Sequence, residues 1–316
     1  MKKLLITRRL PEKVLNAARA HFDVTLRDST EVLSPAELRA ALRDHDAVLP
    51  TLGDRFQPDV FTDVPAPRAR ILANFGVGYN HIDAVAARAH GIAVTNTPGA
   101  VTDATADIAL TLILMTARRA GEGERILRRG DWHGWGPTQM LGLHVTGRKV
   151  GIIGMGRIGK AIARRCHFGF GMEVVFHNRS VVADPGVPAR QVPLHEALQA
   201  DIVVVAVPGS KETYHLLNAE TFAQMRREAL FINISRGDVV DEPALIAALQ
   251  AGQIAGAGLD VYEFEPAVPA EFMAMENVTL LPHLGTAARE VRENRGMMAL
   301  ANIIAWDEGR PLPNSV

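Results

Sequence analysis

Cysteine is almost missing: Cys166 is the only one in 316 residues. No intramolecular disulfide can form, and the chain is expected in a reducing cytoplasm. The apolar, helix-like setting of Cys166 just after a glycine turn argues for a packed, inert thiol rather than a reactive one. Long apolar runs are missing too. The longest, Ile108 to Ala117, is flanked by Asp107 and Arg118 and is about half of the ~20 residues a membrane span needs. It is expected to be a buried helix. The basic opening "MKKLLITRRL" ceases to be apolar after Ile6, too early for a signal peptide, and reads as a first strand. Excess charge of either sign is also absent, with 34 Lys plus Arg against 35 Asp plus Glu. No global field would draw the protein to nucleic acid or an anionic membrane, so any bound anion must be held by local groups.

What is present is a regular alternation of short apolar runs and longer amphipathic segments. "KLLIT" precedes "PEKVLNAARAHF"; "AVLPT", "ARILANFG", "HIDAVAARAHG" and "IAVTN" follow. Strand and helix periods in alternation predict parallel α/β units. A second series begins after a helix around residues 103–120 and the Gly/Trp-rich stretch "RRGDWHGWGPTQMLG". Its strands are expected at "KVGIIG", "EVVFHN", "DIVVVAV", "LFINIS", "GAGLDV" and "NVTLLP". The last helix, within "TAAREVRENRGMMALANIIAWDEG", is expected to be capped by Thr286 or Gly285 and ended by Gly309 and Pro311. A chain of this length exceeds one ordinary core, so two domains are expected. The simplest partition places a nucleotide-binding fold at residues 99–285 and returns the last helix to the first domain.

The stretch "GIIGMGRIGKA" admits two readings. As a triphosphate cradle it would use Gly154, Gly159 and Lys160, but that motif needs Ser or Thr next to hold Mg²⁺, and Ala161 stands there. Asp260 in "AGAGLDVYE" would be a poor second Mg²⁺ ligand. As a dinucleotide turn the stretch has strand "KVGII" before it and an amphipathic helix after it, opening at the third glycine. Gly154 then makes the turn, Gly156 admits the pyrophosphate, and Gly159 lets the helix pack on the strand. About 20 residues on, an NAD site carries an acid for the ribose 2′-hydroxyl. "EVVFHNRS" offers Asn178, Arg179 and Ser180 instead. A guanidinium and a hydroxyl without a repelling carboxylate predict NADPH over NADH.

Hydride transfer to a carbonyl needs a proton donor, a cation for the substrate carboxylate and a group that tunes the donor. Arg236 follows "FINIS", Glu265 follows "GLDVYEF" and His283 follows "VTLLP". All three lie near C-terminal strand ends, where a parallel sheet binds ligands. A glutamate paired with a histidine favours the charged imidazole. Taken singly, Arg236 could close a turn, Glu265 could be a loop carboxylate and His283 a satisfied buried histidine. Jointly, at three strand ends of one dinucleotide fold, they point to an active site.

"GIIGMGRIGKAIA", "FINISRGDVVDEPALIAAL", "GAGLDVYEFEP" and "LLPHLGTAARE", with "NFGVGYNHID" and "VTNTPG" upstream, resemble the D-isomer-specific 2-hydroxyacid dehydrogenase family over essentially the whole chain. "ITRRLPE", "DWHGWGP" and "HNRS" are similar to its glyoxylate/hydroxypyruvate reductase branch. The resemblance implies two doubly wound α/β domains with a cleft between them. One is a discontinuous, flavodoxin-like substrate domain, residues 1–98 with 286–316, and the other a Rossmann domain, residues 99–285, in a homodimer. It implies His283 as proton donor, Glu265 as relay carboxylate and Arg236 as substrate-orienting cation. The N–H groups of Val77 and Gly78 would take the substrate carboxylate. Asp260 would contact the nicotinamide end and the substrate; the alternative is a carboxylate capping nearby N–H groups. Arg157 and Ile158 would flank the pyrophosphate and Pro208 the adenosine, with Ile234 and Gly285 completing the cofactor contacts. Trp132 and Trp135 match a pair associated with the dimer contact and the partner's pocket, and burial against the long helix is the alternative.

Departures from the family pattern sharpen the reading. Members that prefer NAD carry Asp where Asn178 stands. The chain ends at Val316 without the regulatory extension of many phosphoglycerate dehydrogenases. Glu265 stands where the formate-oxidising branch is expected to have an amide. The expected activity is NADPH-dependent reduction of glyoxylate and hydroxypyruvate, without metal. A reductase of a bulkier 2-keto acid such as 2-ketogluconate, and a non-catalytic dinucleotide sensor, are the two alternatives. A pure sensor would need neither donor, relay nor cation.

Overall fold

A computed structural model describes residues 1–99 and 101–316. In chain order the elements are β1 (Lys3–Ile6), α1 (Glu12–His21), β2 (Asp23–Leu26), α2 (Pro35–Asp44), β3 (Ala47–Leu49), α3 (Pro58–Thr62), β4 (Ile71–Ala73), α4 (Ala84–Ala89) and β5 (Ala93–Thr95). Next come α5 (Thr102–Ala117), α6 (Ala120–Arg129), β6 (Lys149–Ile153), α7 (Arg157–Arg164), β7 (Glu173–His177), β8 (Ala189–Gln191), α8 (Leu194–Ala197) and β9 (Ile202–Val205). The chain closes with α9 (Ala219–Phe222), β10 (Leu230–Asn233), α10 (Glu242–Gln250), β11 (Gly256–Leu259), α11 (Ala270–Ala274), β12 (Val278–Leu280) and α12 (Arg289–Asp307). Two compact units result: Met1–Val101 with Ala287–Val316, and Thr102–Thr286.

In the first unit five parallel strands run in the order β2-β1-β3-β4-β5, the flavodoxin-like order. Helix α12 packs on α1, β3 and β4. Gly296 makes this possible, since a Cβ there would lie 2.6 Å from Val14 Cγ2. The helix starts at Arg289 with Ala288 at its N-cap and no side-chain cap. The expected cap at Thr286 or Gly285 is therefore corrected: the Gly285 N–H is taken by Asp260, so the chain leaves that loop before it coils. Gly309, at φ +67°, lies just beyond its end.

The second unit has seven parallel strands, ordered β12-β11-β10-β9-β6-β7-β8. This is the dinucleotide-binding order with one strand added at the β12 edge. Strands β9, β10 and β11 are buried along their whole length, as expected of a parallel sheet covered on both faces. Helix α5 lies against β10, β11 and β12, burying Ala109, Leu112 and Ile113 at about 1.5–3 kcal/mol for each large side chain. The glycines of "GAGL" give it room, since a Cβ on Gly258 would come within 2.8 Å of Thr116 Oγ1. The helix expected around residues 103–120 is α5, Thr102–Ala117, and a second helix not expected from the sequence, α6, follows it. Arg119 adopts φ +52° and bonds Glu122 through Nε and Nη2, both at 2.7 Å, which separates α5 from α6. Cys166 is buried in a π-helical turn, Arg165–Gly169, and burial pushes its thiol up to about 12. A thiolate does not form there at neutral pH.

Candidate active site

The strand order of the second unit reverses between β6 and β9, and the glycine turn leaves β6 at that switch point. Gly154 has φ +101°, and a Cβ on it would sit 2.8 Å from the Ala206 backbone. Helix α7 opens at Arg157 with Gly156 as N-cap, two residues before the expected start at the third glycine. Gly159 thus lies in the first turn, where a Cβ would be 2.1 Å from the Gly154 carbonyl oxygen. Gly156 differs: nothing lies within 4 Å of its Cβ position. No side chain caps the helix, so its first N–H groups and partial positive charge remain for an anion beside an open surface. A pyrophosphate fits this cradle. Arg157 is exposed and Ile158 half-buried on the first turn.

The same contrast gives a prediction. Gly159→Ala forces backbone apart and should cost about 1–3 kcal/mol of stability, as overpacking does. Gly156→Ala should leave urea-unfolding midpoints unchanged while weakening nucleotide binding in calorimetry.

Past β7, Asn178 Oδ1 accepts the Met155 N–H at 3.1 Å, and Nδ2 donates to the Ser180 carbonyl at 2.9 Å. The residue thus ties the glycine turn to the next strand. Arg179 and Ser180 are exposed. Glu212 is near enough for the Arg179 charge to help hold its carboxyl low, after the larger effects of the Ser210 hydrogen bond and the Glu212 backbone. Pro208 is exposed past β9. Ile234, expected among the cofactor contacts, is 5% exposed and packs into the core, so only a small edge of it is available.

At the ends of β10, β11 and β12 the three expected catalytic residues come together. Glu265 Oε2 accepts from His283 Nδ1 at 2.7 Å, and Oε1 accepts the Tyr262 N–H at 3.0 Å. Burial alone would push the Glu265 carboxyl up. The bond and charge of His283, the Tyr262 N–H and the Arg236 guanidinium outweigh it and hold the carboxyl below its ordinary value. Arg236 follows β10, with Nη1 donating to the Ser235 carbonyl at 2.7 Å. His283 sits at φ +53°, a left-handed conformation costly for a non-glycine residue and concentrated at functional sites.

Asp260 explains how His283 is held there. It is 1% exposed. Its Oδ1 and Oδ2 accept from the Leu284 and Gly285 N–H groups at 2.6 and 2.8 Å, and its carbonyl accepts the His283 N–H at 2.9 Å. Burial pushes its carboxyl up against these bonds and the His283 charge. Both Asp260 oxygens thus clamp the 283–285 loop through the Leu284 and Gly285 N–H groups, which is the capping role named as the alternative to a ligand contact.

The depressed carboxyl of Glu265 has a consequence for stability. A lowered folded value stabilises the fold above the unfolded carboxyl value near 4.5, and this is lost as pH falls through the folded value. Thermal unfolding scanned from about pH 3 to 6 should show a flatter acid slope for Glu265→Gln than for wild type.

In the first unit, the loop after β4 is pinned by its carbonyls. Asn74 Nδ2 donates to Gly76 and Gly78 at 3.1 and 2.9 Å, Thr97 N–H to Gly76 at 3.0 Å, and Asn96 Nδ2 to Val77 at 2.9 Å. A planar trans peptide points its N–H opposite its carbonyl, so the Val77 and Gly78 N–H groups face away from these anchors. Asn74 and Asn96 had no signal in the sequence beyond their nearness to glycines. Trp132 and Trp135 are 51% and 83% exposed, so neither is buried against the long helix. No cluster that could hold a metal occurs among the described residues, and no helix there is long and apolar enough to cross a membrane.

A glycine turn at the switch point of a parallel sheet, with a histidine–glutamate pair and an arginine at neighbouring strand ends, defines an NAD(P)-dependent dehydrogenase. Residues 110–285 match the NAD binding domain of D-isomer specific 2-hydroxyacid dehydrogenases. The glyoxylate reductase of Thermococcus onnurineus is 42% identical over 99% of this chain and 95% of its own length. A solved protein of Thermus thermophilus superposes with TM-score 0.93 at 40% identity, over 99% of both chains. The NADPH-dependent glyoxylate/hydroxypyruvate reductase of Sinorhizobium meliloti, solved with NADP and malonate, gives TM-score 0.86 at 35% identity, over 100% of this chain and 96% of its own. The chain belongs to the D-isomer specific 2-hydroxyacid dehydrogenase family.

Proposed function

We propose that the chain reduces small 2-oxo acids with NADPH, converting glyoxylate to glycolate and hydroxypyruvate to D-glycerate. The observation that carries this is the 2.7 Å bond from His283 Nδ1 to Glu265. It commits one ring nitrogen to the carboxylate and leaves Nε2 as the one that can hand over a proton. When bound, NADPH supplies the hydride to C2. His283 holds its proton for the oxygen on which negative charge develops, and Glu265 fixes the ring and balances the imidazolium. Arg236, anchored at Nη1, has Nε and Nη2 for the carboxylate and the carbonyl oxygen of the 2-oxo acid. The N–H groups of Val77 and Gly78 are assigned to that carboxylate as well.

NADPH is preferred on this reading because Asn178 offers no charge to repel a 2′-phosphate, while Arg179 and Ser180 stand exposed to meet it. The Sinorhizobium meliloti reductase, NADPH-dependent and solved with NADP, supports this reading. The chain acts in the cytoplasm as a homodimer. Leu127, Trp132, Trp135 and Leu141, exposed large apolar side chains within residues 127–141, are assigned to the contact with the second copy. Steady-state assays with NADPH and NADH against glyoxylate, hydroxypyruvate and 2-ketogluconate test the proposal. Turnover of the first two with NADPH is expected. Preference for 2-ketogluconate, or for NADH, would overturn the corresponding part.

A further inference from the structure

Four non-glycine residues among those described have positive φ: Arg119, Met140, His215 and His283. Two are histidines, and each is bonded to a glutamate of one loop. His283 takes Glu265; His215 Nε2 lies 2.9 Å from Glu263 Oε1, two residues earlier. The second pair is the more enclosed on its acidic side, with the Glu263 side chain 8% exposed. Its histidine, at φ +48°, stacks on Tyr214 with centroids 4.0 Å apart.

His215 sits where three segments meet. It belongs to the loop that follows β9 and includes Pro208. Its N–H donates to the Asp238 carbonyl at 2.9 Å, in the turn that carries Arg236. Its ring reaches the 262–265 loop that carries Glu265. That turn and that loop already press together, since a Cβ on Gly237 would fall 1.8 Å from the Tyr262 backbone. Beyond Glu263, packing gives out: Phe264, Glu265, Pro266 and Ala267 are all exposed. Glu265 must nevertheless meet the Tyr262 N–H and His283 at once.

Acidic charge makes the restraint necessary. The Glu263 N–H donates to Glu242 Oε1 at 3.0 Å, and burial followed by the charges of Glu263 and Glu265 pushes the Glu242 carboxyl up. Asp238 and Asp241 add negative charge around Tyr214. His215 Nε2 gives Glu263 its shorter side-chain bond inside this group, beside the Tyr214 hydroxyl at 3.4 Å.

We propose that His215 and Glu263 form a positioning pair that holds the 262–265 loop in place so that Glu265 reaches His283. The proposal rests on the catalytic reading of Glu265 and His283. Without the His215 bond, Glu263 is left with the longer 3.4 Å bond from the Tyr214 hydroxyl while it faces Glu242, and the loop shifts the Glu265 carboxylate off Nδ1. Misplacement on the ångström scale lowers turnover by about 10–100-fold.

The test is a mutant cycle on the full chain, with His215→Ala, Glu265→Gln and the double variant, and His215→Gln as the conservative replacement. His215→Ala should lower kcat for glyoxylate about 10–100-fold with the NADPH KM within about twofold, and His215→Gln should restore most of it. In the Glu265→Gln background the same alanine should change kcat by less than about threefold, because its effect passes through Glu265. A crystal structure of His215→Ala gives a readout independent of turnover: the contact between Glu265 and His283 should open beyond hydrogen-bond reach. Multiplicative losses in the cycle, or an unchanged contact, would overturn the positioning role. If Glu265→Gln alone leaves kcat unchanged while the contact opens in His215→Ala, the placement of the pair stands and the catalytic reading falls.

Discussion

His283→Ala should lower kcat for glyoxylate by about 10²–10⁴-fold, the usual scale for loss of a general acid. The donor's position is over-determined. Glu265 fixes the ring at Nδ1, and Asp260 clamps the two residues that follow while its carbonyl holds the His283 N–H. Alanine removes only the ring and leaves those backbone bonds in place, so the fold should survive and stability should change little. The loss should fall on kcat with nucleotide affinity kept, since the dinucleotide turn lies on another strand end. A variant with near-normal kcat would leave His283 without a catalytic role.

Arg179→Ala should weaken NADPH binding about 10–100-fold, the equivalent of one lost charge-assisted hydrogen bond of about 1.5–3 kcal/mol. NADH, which lacks the 2′-phosphate, should be affected by less than about twofold. Asn178→Asp should move the same balance further by adding a repelling carboxylate. It keeps an oxygen for the Met155 N–H but places a second against the Ser180 carbonyl, where Nδ2 now donates. Glu212 competes for the Arg179 charge, so Glu212→Gln should strengthen NADPH binding modestly. Calorimetric titration of both nucleotides against the three variants reads all of this. Equal losses for NADPH and NADH in Arg179→Ala would remove the 2′-phosphate role.

The strands that organise the sheets were legible because parallel, doubly covered strands are nearly continuous apolar runs; "IVVV" and "LFIN" need no partner to declare themselves. Two strands escaped. Strand β8 is "ARQ" at a sheet edge, mostly exposed, and β2, "DVTL", has no fully buried residue. Neither has the burial that writes hydrophobicity into sequence. Helix α6, which opens after the left-handed Arg119, and the early start of α7 at Arg157 were likewise hidden, since one follows a backbone conformation and the other an N-cap glycine.

At the site, the residue types at strand ends were visible, because few positions combine His, Glu and Arg with the ends of apolar runs. Partners were not. The sequence offered Asp260 as both ligand contact and cap, and only coordinates show both its oxygens on backbone N–H groups. His215 and Glu263 are separated by 48 residues, and "TYHLL" carries no mark that its histidine faces the loop of "DVYEFEP". Such pairings are set by the crossing of three loops, which no local pattern records.

The most direct single measurement follows the label when NADPH deuterated at the transferable C4 position is consumed with glyoxylate in one turnover. The account predicts glycolate carrying one deuterium at C2, formed in step with loss of NADPH absorbance. Label retained in the nucleotide, label released to water, or no consumption of NADPH would contradict it.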